Sequence, residues 1–184
     1  MAKILYIHGF GSCGDSTKTR LLKAHFGADL VVAPDIKVPP REAIQQLKEL
    51  IKTNAFDLLM GSSLGGFYAT YLSELFGIRA VLINPSTQPF HTLSPYVGEN
   101  TFWCSGKVFM WESSYLKDLK SYMVAKITSE RYMLFLQTAD EVLDYRVAQN
   151  YYDGAKIIVE EGGNHRFENL EAYLEYIEAF LIEC

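Results

Sequence analysis

Cysteine is scarce in this chain. Cys13, Cys104 and Cys184 are its only three, odd in number, far apart and without a C-x-x-C spacing. That excludes a disulfide framework and a zinc-ribbon pattern, and it predicts reduced thiols in a cytoplasmic protein. Cys13 reads as a small hydrophobe, with a reactive thiol as the alternative. Positive charge is also in deficit: 17 Lys and Arg stand against 22 Asp and Glu, a net charge of −5. A nucleic-acid binder would normally carry a basic face, so no nucleic-acid partner is expected. No apolar run is long enough to span a bilayer. Met1-Ala2-Lys3 leads straight into a strand-like segment, without the apolar region and small-residue cleavage site of a signal peptide. Metal-ligand spacings such as H-E-x-x-H are missing, so neither a metal nor a cofactor is expected. No repeat or low-complexity stretch occurs, and no feature specifies an oligomeric state.

What is present is a globular composition: 49% hydrophobic and 21% charged residues over 184 positions. That length suits one domain, 1–184, with a substantial core. Apolar runs alternate with segments of helical period. Strands are expected at 3–7, 30–32, 56–60, 79–83, 132–136 and 156–159. Helices are expected at 16–26, from Pro40 to Asn54, at 63–76 ended by Gly77, at 113–124, at 144–151, and from about Glu168 to the end. Residues 86–110, rich in proline, glycine and aromatics, read as a long irregular excursion, and 86–125 as a lid-like insertion. Continuous apolar strands alternating with helices imply an α/β fold with a parallel sheet covered on both faces. Ligands then bind beyond the carboxyl ends of the strands.

Each strand-end loop can be asked for one part of a serine hydrolase. After Met60 comes Gly61-Ser62-Ser63-Leu64-Gly65, a G-x-S-x-G pattern between a strand and a helix. That is the setting of a nucleophile elbow, with Ser63 in the S position; the plain alternative is a glycine-softened turn. Ser62 reads as a neighbour whose hydroxyl bonds locally. A hydroxyl is a poor nucleophile without a base, an orienting acid and oxyanion donors. His165, on the Gly162-Gly163-Asn164 loop, is the candidate base. His25 reads as a surface residue, His91 falls in the insertion, and His8 reads as ordering the loop after the first strand. Asp140 is the first candidate to orient His165. Asp144 is its rival, with a helix N-cap as its bland reading, and Glu141 comes third. The backbone N–H groups of Phe10 and Leu64 are the candidate oxyanion donors. The chain order Ser, Asp, His is that of α/β-hydrolases.

The segments "LYIHGFGS", "GSSLGGFYATYLSE", "INPSTQPF", "QTADEVLDYRVAQNYY" and "EGGNHRFENLEAYLEYI" together resemble the YqiA-like small bacterial esterases (UPF0227) of the α/β-hydrolase superfamily. The resemblance runs from near one end of the chain to near the other. It implies a compact hydrolase acting on short acyl esters, or on acyl-CoA thioesters, with Ser63 as nucleophile, Asp140 as acid and His165 as base. One departure is Ala139, where many such enzymes have glycine before the acid. Residues 98–110 match least. The expected partner is a small-molecule ester or thioester. For a CoA thioester, Lys107, Lys117, Lys120 and Lys126 could meet the phosphates, although they read more simply as solvated charges. A non-catalytic binding protein on the same fold is the third reading.

Overall fold

A six-stranded sheet whose central strands are buried on both faces organises the protein, and a computed structural model describes it within residues 2–182. In chain order come β1 (Ile4–Ile7), α1 (Thr17–Phe26), β2 (Val31–Val32), α2 (Pro40–Thr53), β3 (Leu58–Ser62), α3 (Leu64–Phe76) and β4 (Arg79–Ile83). Next are α4 (Pro89–Thr92), β5 (Gly98–Thr101), β6 (Val108–Trp111), α5 (Ser113–Ser121), β7 (Tyr132–Gln137), α6 (Tyr145–Tyr151), β8 (Lys156–Glu160) and α7 (Leu174–Ile182). The sheet order is β2-β1-β3-β4-β7-β8, and every pairing in it is parallel. The chain runs outward from β1 to β2, then returns across β1 to β3. Strand order therefore reverses between β1 and β3, and the crevice beyond their carboxyl ends is where such sheets bind ligands.

Alternate side chains of each strand enter opposite cores. Leu5, Ile7, Leu59, Leu82 and Leu134 meet the layer that includes α2 and α3. Ile4, Tyr6, Met60, Val81 and Phe135 meet the layer that includes α7. This is why the strands read as unbroken apolar runs. In α2, Ile44, Leu47 and Ile51 are buried as their spacing predicts, Pro40 is at the start, and Asn54 is the C-cap. Gly77 ends α3 in the left-handed conformation at φ 72°. Among the described residues, no helix is long and apolar enough to cross a membrane.

Four expectations change. First, β3 lies two residues later than predicted. Its ladder to β1 begins at Leu58 opposite Ile4, and Gly61 and Ser62 stay in the ladder opposite Ile7 and Ile83. Ser63 therefore stands alone between strand and helix. Second, residues 98–111 are not irregular: β5 and β6 form a separate antiparallel hairpin. Phe109 and Trp111 face inward, while Val108 and Met110 face out. Third, the last helix does not start near Glu168. Phe167 adopts φ 51° and residues 170–173 form a 3₁₀ turn before α7. Near the end of α7, Phe180 is fully buried and Leu181 packs partly buried against the same core.

The fourth concerns the thiols. Cys13 and Cys104 are joined in a disulfide across a separation of 91 residues. The hairpin brings position 104 beside the loop after β1, where the Trp103 amide also donates to the Gly11 carbonyl at 2.8 Å. So wide a separation leaves no spacing pattern in the sequence, and the inference from reduced thiols to the cytoplasm fails for this pair. Cys184 lies outside the described residues.

Candidate active site

The turn after β3 is a single residue. Ser63 has φ 54° and ψ −119°, a region that costs a non-glycine residue about 1–3 kcal/mol. Its backbone is fixed on both sides. The Ser63 N–H donates to Ile83 O at 3.1 Å, and its carbonyl accepts from Gly66 N at 2.9 Å and Ser86 N at 3.0 Å. Although Ser63 is the N-cap of α3, its side chain makes no capping bond, so the hydroxyl is left for other partners. The flanking glycines are required by space. A Cβ on Gly65 would sit 2.0 Å from Ile7 O, and one on Gly61 would sit 2.3 Å from Gly65 O. The start of α3 is thus pressed onto the ends of β1 and β3.

Three side chains from three loops meet here. His165 Nε2 lies 3.0 Å from Ser63 Oγ. On the other side of the ring, His165 Nδ1 lies 2.8 Å from Asp140 Oδ2 and 3.0 Å from Oδ1. Asp140 Oδ1 also accepts from the amides of Val142 and Leu143, both at 2.8 Å. The Asp140 side chain is only 2% exposed. A carboxylate facing Nδ1 fixes the tautomer with hydrogen on Nδ1 and leaves the Nε2 lone pair facing the serine. Ala139 fits without strain: it is absent from the positive-φ residues, and its amide donates to Gly162 O at 2.9 Å.

The rivals for the acid are separated by geometry. Asp144 caps α6, accepting from Arg146 N at 3.0 Å and pairing with Arg146 Nη2 at 2.7 Å. Those hydrogen bonds from Arg146 hold its carboxyl below the usual range. Glu141 does reach His165, but through the backbone: its Oε2 accepts the His165 amide at 2.9 Å. That bond is the main reason its carboxyl also sits below the usual range. The sequence had placed Glu141 third among acids and had not suggested this role.

His8 shapes the opposite wall. Its Nε2 accepts from Ile36 N at 3.1 Å, so the ring is neutral and Nδ1 donates to Gly9 O at 2.8 Å. Burial pushes its pKa down. Next to it, the amides of Phe10 and Leu64 donate to no backbone carbonyl among the described residues. Ser62 is buried and adjoins the Tyr6 hydroxyl, whose pKa burial raises. His25 pairs with Glu178 at 3.0 Å on the surface, and His91 is exposed in α4.

A cleft of about 1270 Å³ opens over Ser63 and His165. Phe10, Leu93, Tyr96 and Trp103 give it an apolar side, and the Cys13–Cys104 bridge forms part of its wall. Lys107, Lys117, Lys120 and Lys126 do not line it; its cationic residues are Lys18, Arg20 and Arg166. The sequence also left unnoticed two buried amides behind His165, Asn84 and Gln137. Each is the first polar residue after an apolar run, a signal shared with any loop residue in that place.

The model of the uncharacterised protein family UPF0227 matches residues 3–182, and the chain belongs to that family. A UPF0227 protein of Yersinia enterocolitica is 30% identical over 193 residues, covering 96% of this chain and 97% of the relative. One from Serratia proteamaculans is 29% identical over 196 residues, covering 96% and 97%. Among solved structures, one from Agrobacterium vitis S4 superposes with a TM-score of 0.79 at 15% identity, covering 98% of this chain and 88% of that one. Est1E of Butyrivibrio proteoclasticus, solved with ferulic acid, gives 0.71 at 14% identity, covering 99% and 88%. The monoacylglycerol lipase of Paleococcus ferrophilus gives 0.70 at 14% identity, covering 97% and 93%. At such identities the likeness establishes the α/β-hydrolase fold.

Proposed function

We propose that this UPF0227 chain is a serine carboxylesterase that cleaves esters of small or medium acyl groups through an acyl-enzyme. The observation that carries the reading is the hydrogen-bonded line from Ser63 Oγ through His165 to Asp140, at 3.0 and 2.8 Å. It stands at the point where strand order reverses and opens into an apolar-walled cleft. The esterases and lipases among the structural neighbours are consistent with it.

The chemistry follows from the tautomer. His165 Nε2 accepts the Ser63 proton as Oγ attacks the ester carbonyl. Asp140 stabilises the imidazolium through Nδ1. Negative charge developing on the carbonyl oxygen meets the Phe10 and Leu64 amides, the second at the start of α3 where the helix dipole also favours an anion. His165 then returns the proton to the departing alkoxide. In the second half, His165 deprotonates a water that attacks the acyl-Ser63 ester, and the acid leaves.

The CoA-thioesterase alternative loses its suggested phosphate contacts, because the four lysines lie outside the cleft. A pure binding protein would have no use for an ordered Ser–His–Asp line. The test is a panel of p-nitrophenyl esters of increasing chain length, alongside matched CoA thioesters and a fluorophosphonate probe. The expected result is turnover of the esters and covalent labelling of Ser63, with both abolished in Ser63→Ala. Undiminished turnover in that variant would overturn the assignment.

A further inference from the structure

The loop that carries His165 contains no helix or strand, yet the peptide groups on either side of Asn164 are fastened by two buried side chains. Asn84, at the end of β4, is 3% exposed and holds a left-handed backbone at φ 39°. Its Nδ2 donates to Asn164 O at 3.1 Å and His165 O at 3.4 Å, while its Oδ1 accepts from Gln137 N at 3.0 Å. Gln137, at the end of β7, is 2% exposed. Its Oε1 accepts from Asn164 N at 3.0 Å, and its Nε2 donates to Glu160 Oε2 at 2.6 Å and Asn169 Oδ1 at 2.8 Å. Both amide orientations follow from these partners, since each oxygen faces an N–H and each nitrogen faces only acceptors. The loop is shaped to receive them. At Gly163, with φ 74°, a Cβ would lie 2.1 Å from Gln137 Cδ.

Counted by group, the loop leaves little free. The Asn164 amide goes to Gln137, the Asn164 and His165 carbonyls go to Asn84, the His165 amide goes to Glu141, and Nδ1 goes to Asp140. Asp140 alone leaves the ring free to swing about that contact. The backbone bonds set where the ring starts from.

We propose that Asn84 and Gln137 are positioning residues for His165: they hold the backbone of 164–165 so that Nε2 stays in line with Ser63 Oγ. This rests on the esterase reading for its kinetic consequence. Buried amides fully bonded to a catalytic loop can also serve stability alone, so the test must separate the two roles.

Asn84→Asp is the informative change. Aspartate tolerates the left-handed backbone and keeps an acceptor for Gln137 N, but it turns the donor facing two carbonyls into an acceptor. Gln137→Met gives an independent reading with an apolar side chain of similar length. In both variants, kcat on p-nitrophenyl acetate and the rate of fluorophosphonate labelling should fall by about 10²-fold, the scale of a misplaced catalytic group. KM should be unchanged. On a His165→Ala background, the same changes should slow labelling no further. Wild-type kcat in both variants, or a loss repeated in full without His165, overturns the proposal. A wild-type protein that neither hydrolyses esters nor labels Ser63 would instead overturn the esterase reading. The clamp is then judged by hydrogen exchange at the amides of 164 and 165. Exchange accelerated in both variants upholds it, and unchanged protection overturns it.

Discussion

Ser63 occupies a backbone conformation in which serine has no intrinsic stake, and the neighbouring residues hold it there through tight packing and hydrogen bonds. Gly65→Ala tests the packing. Its Cβ would stand 2.0 Å from Ile7 O, a collision with backbone that no rotamer relieves. Overpacking of this kind costs about 1–3 kcal/mol, so a fall in melting temperature and loss of Ser63 labelling are expected; an unchanged melt would contradict the contact. His8 gives a pH prediction. Its folded pKa is lowered from 6.5 by burial, so the unfolded chain binds a proton that the folded chain refuses. The stability it contributes is complete above pH 6.5 and is lost as pH falls through the folded value. Protonation would also remove the acceptor for Ile36 N. Urea titrations at pH 7.5 and pH 5 should therefore show a loss of up to about 1.4 kcal/mol per pH unit in that window. The loss should shrink in His8→Gln. The residues proposed for chemistry were legible because each chemical type follows an apolar strand. Asn84 and Gln137 were not, because a buried amide and a loop amide look alike until their partners are known.

Among the elements, legibility followed length and period. The strand Arg79–Ile83 and the helix from Pro40 emerged at their observed positions because their apolar residues keep one spacing and carry stop signals. The β5–β6 hairpin did not. Its first strand, Gly-Glu-Asn-Thr, has no apolar alternation, and its pairing depends on Phe109 and Trp111 packing against Phe10, at centroid distances of 5.5 and 5.1 Å. The disulfide fastens this hairpin to the loop after β1. Cys13→Ser should lower stability by about 2–4 kcal/mol, read as a reduced denaturation midpoint. Because the bridge lines the cleft without bonding to Ser63, His165 or Asp140, KM for longer esters should rise while kcat on the acetate ester holds. Equal effects on both esters would show that the hairpin does not bear on acyl length.

For the molecule as a whole, topology gathers distant chain segments at one edge. Residues 10, 63, 140 and 165 each follow a different parallel strand of one sheet, so their convergence is a consequence of strand direction and order. The fold class was readable for this reason, since alternation alone dictates it. The cross-link was not, because its pairing depends on where a short hairpin docks in three dimensions. The same edge imposes a limit on change. At Gly65 and Gly61, carbonyl oxygens fill the volume that any side chain would need. In a library carrying all amino acids at every position, survivors chosen for turnover should keep glycine at each of these sites, whereas survivors chosen for folding alone should be only depleted of the larger residues.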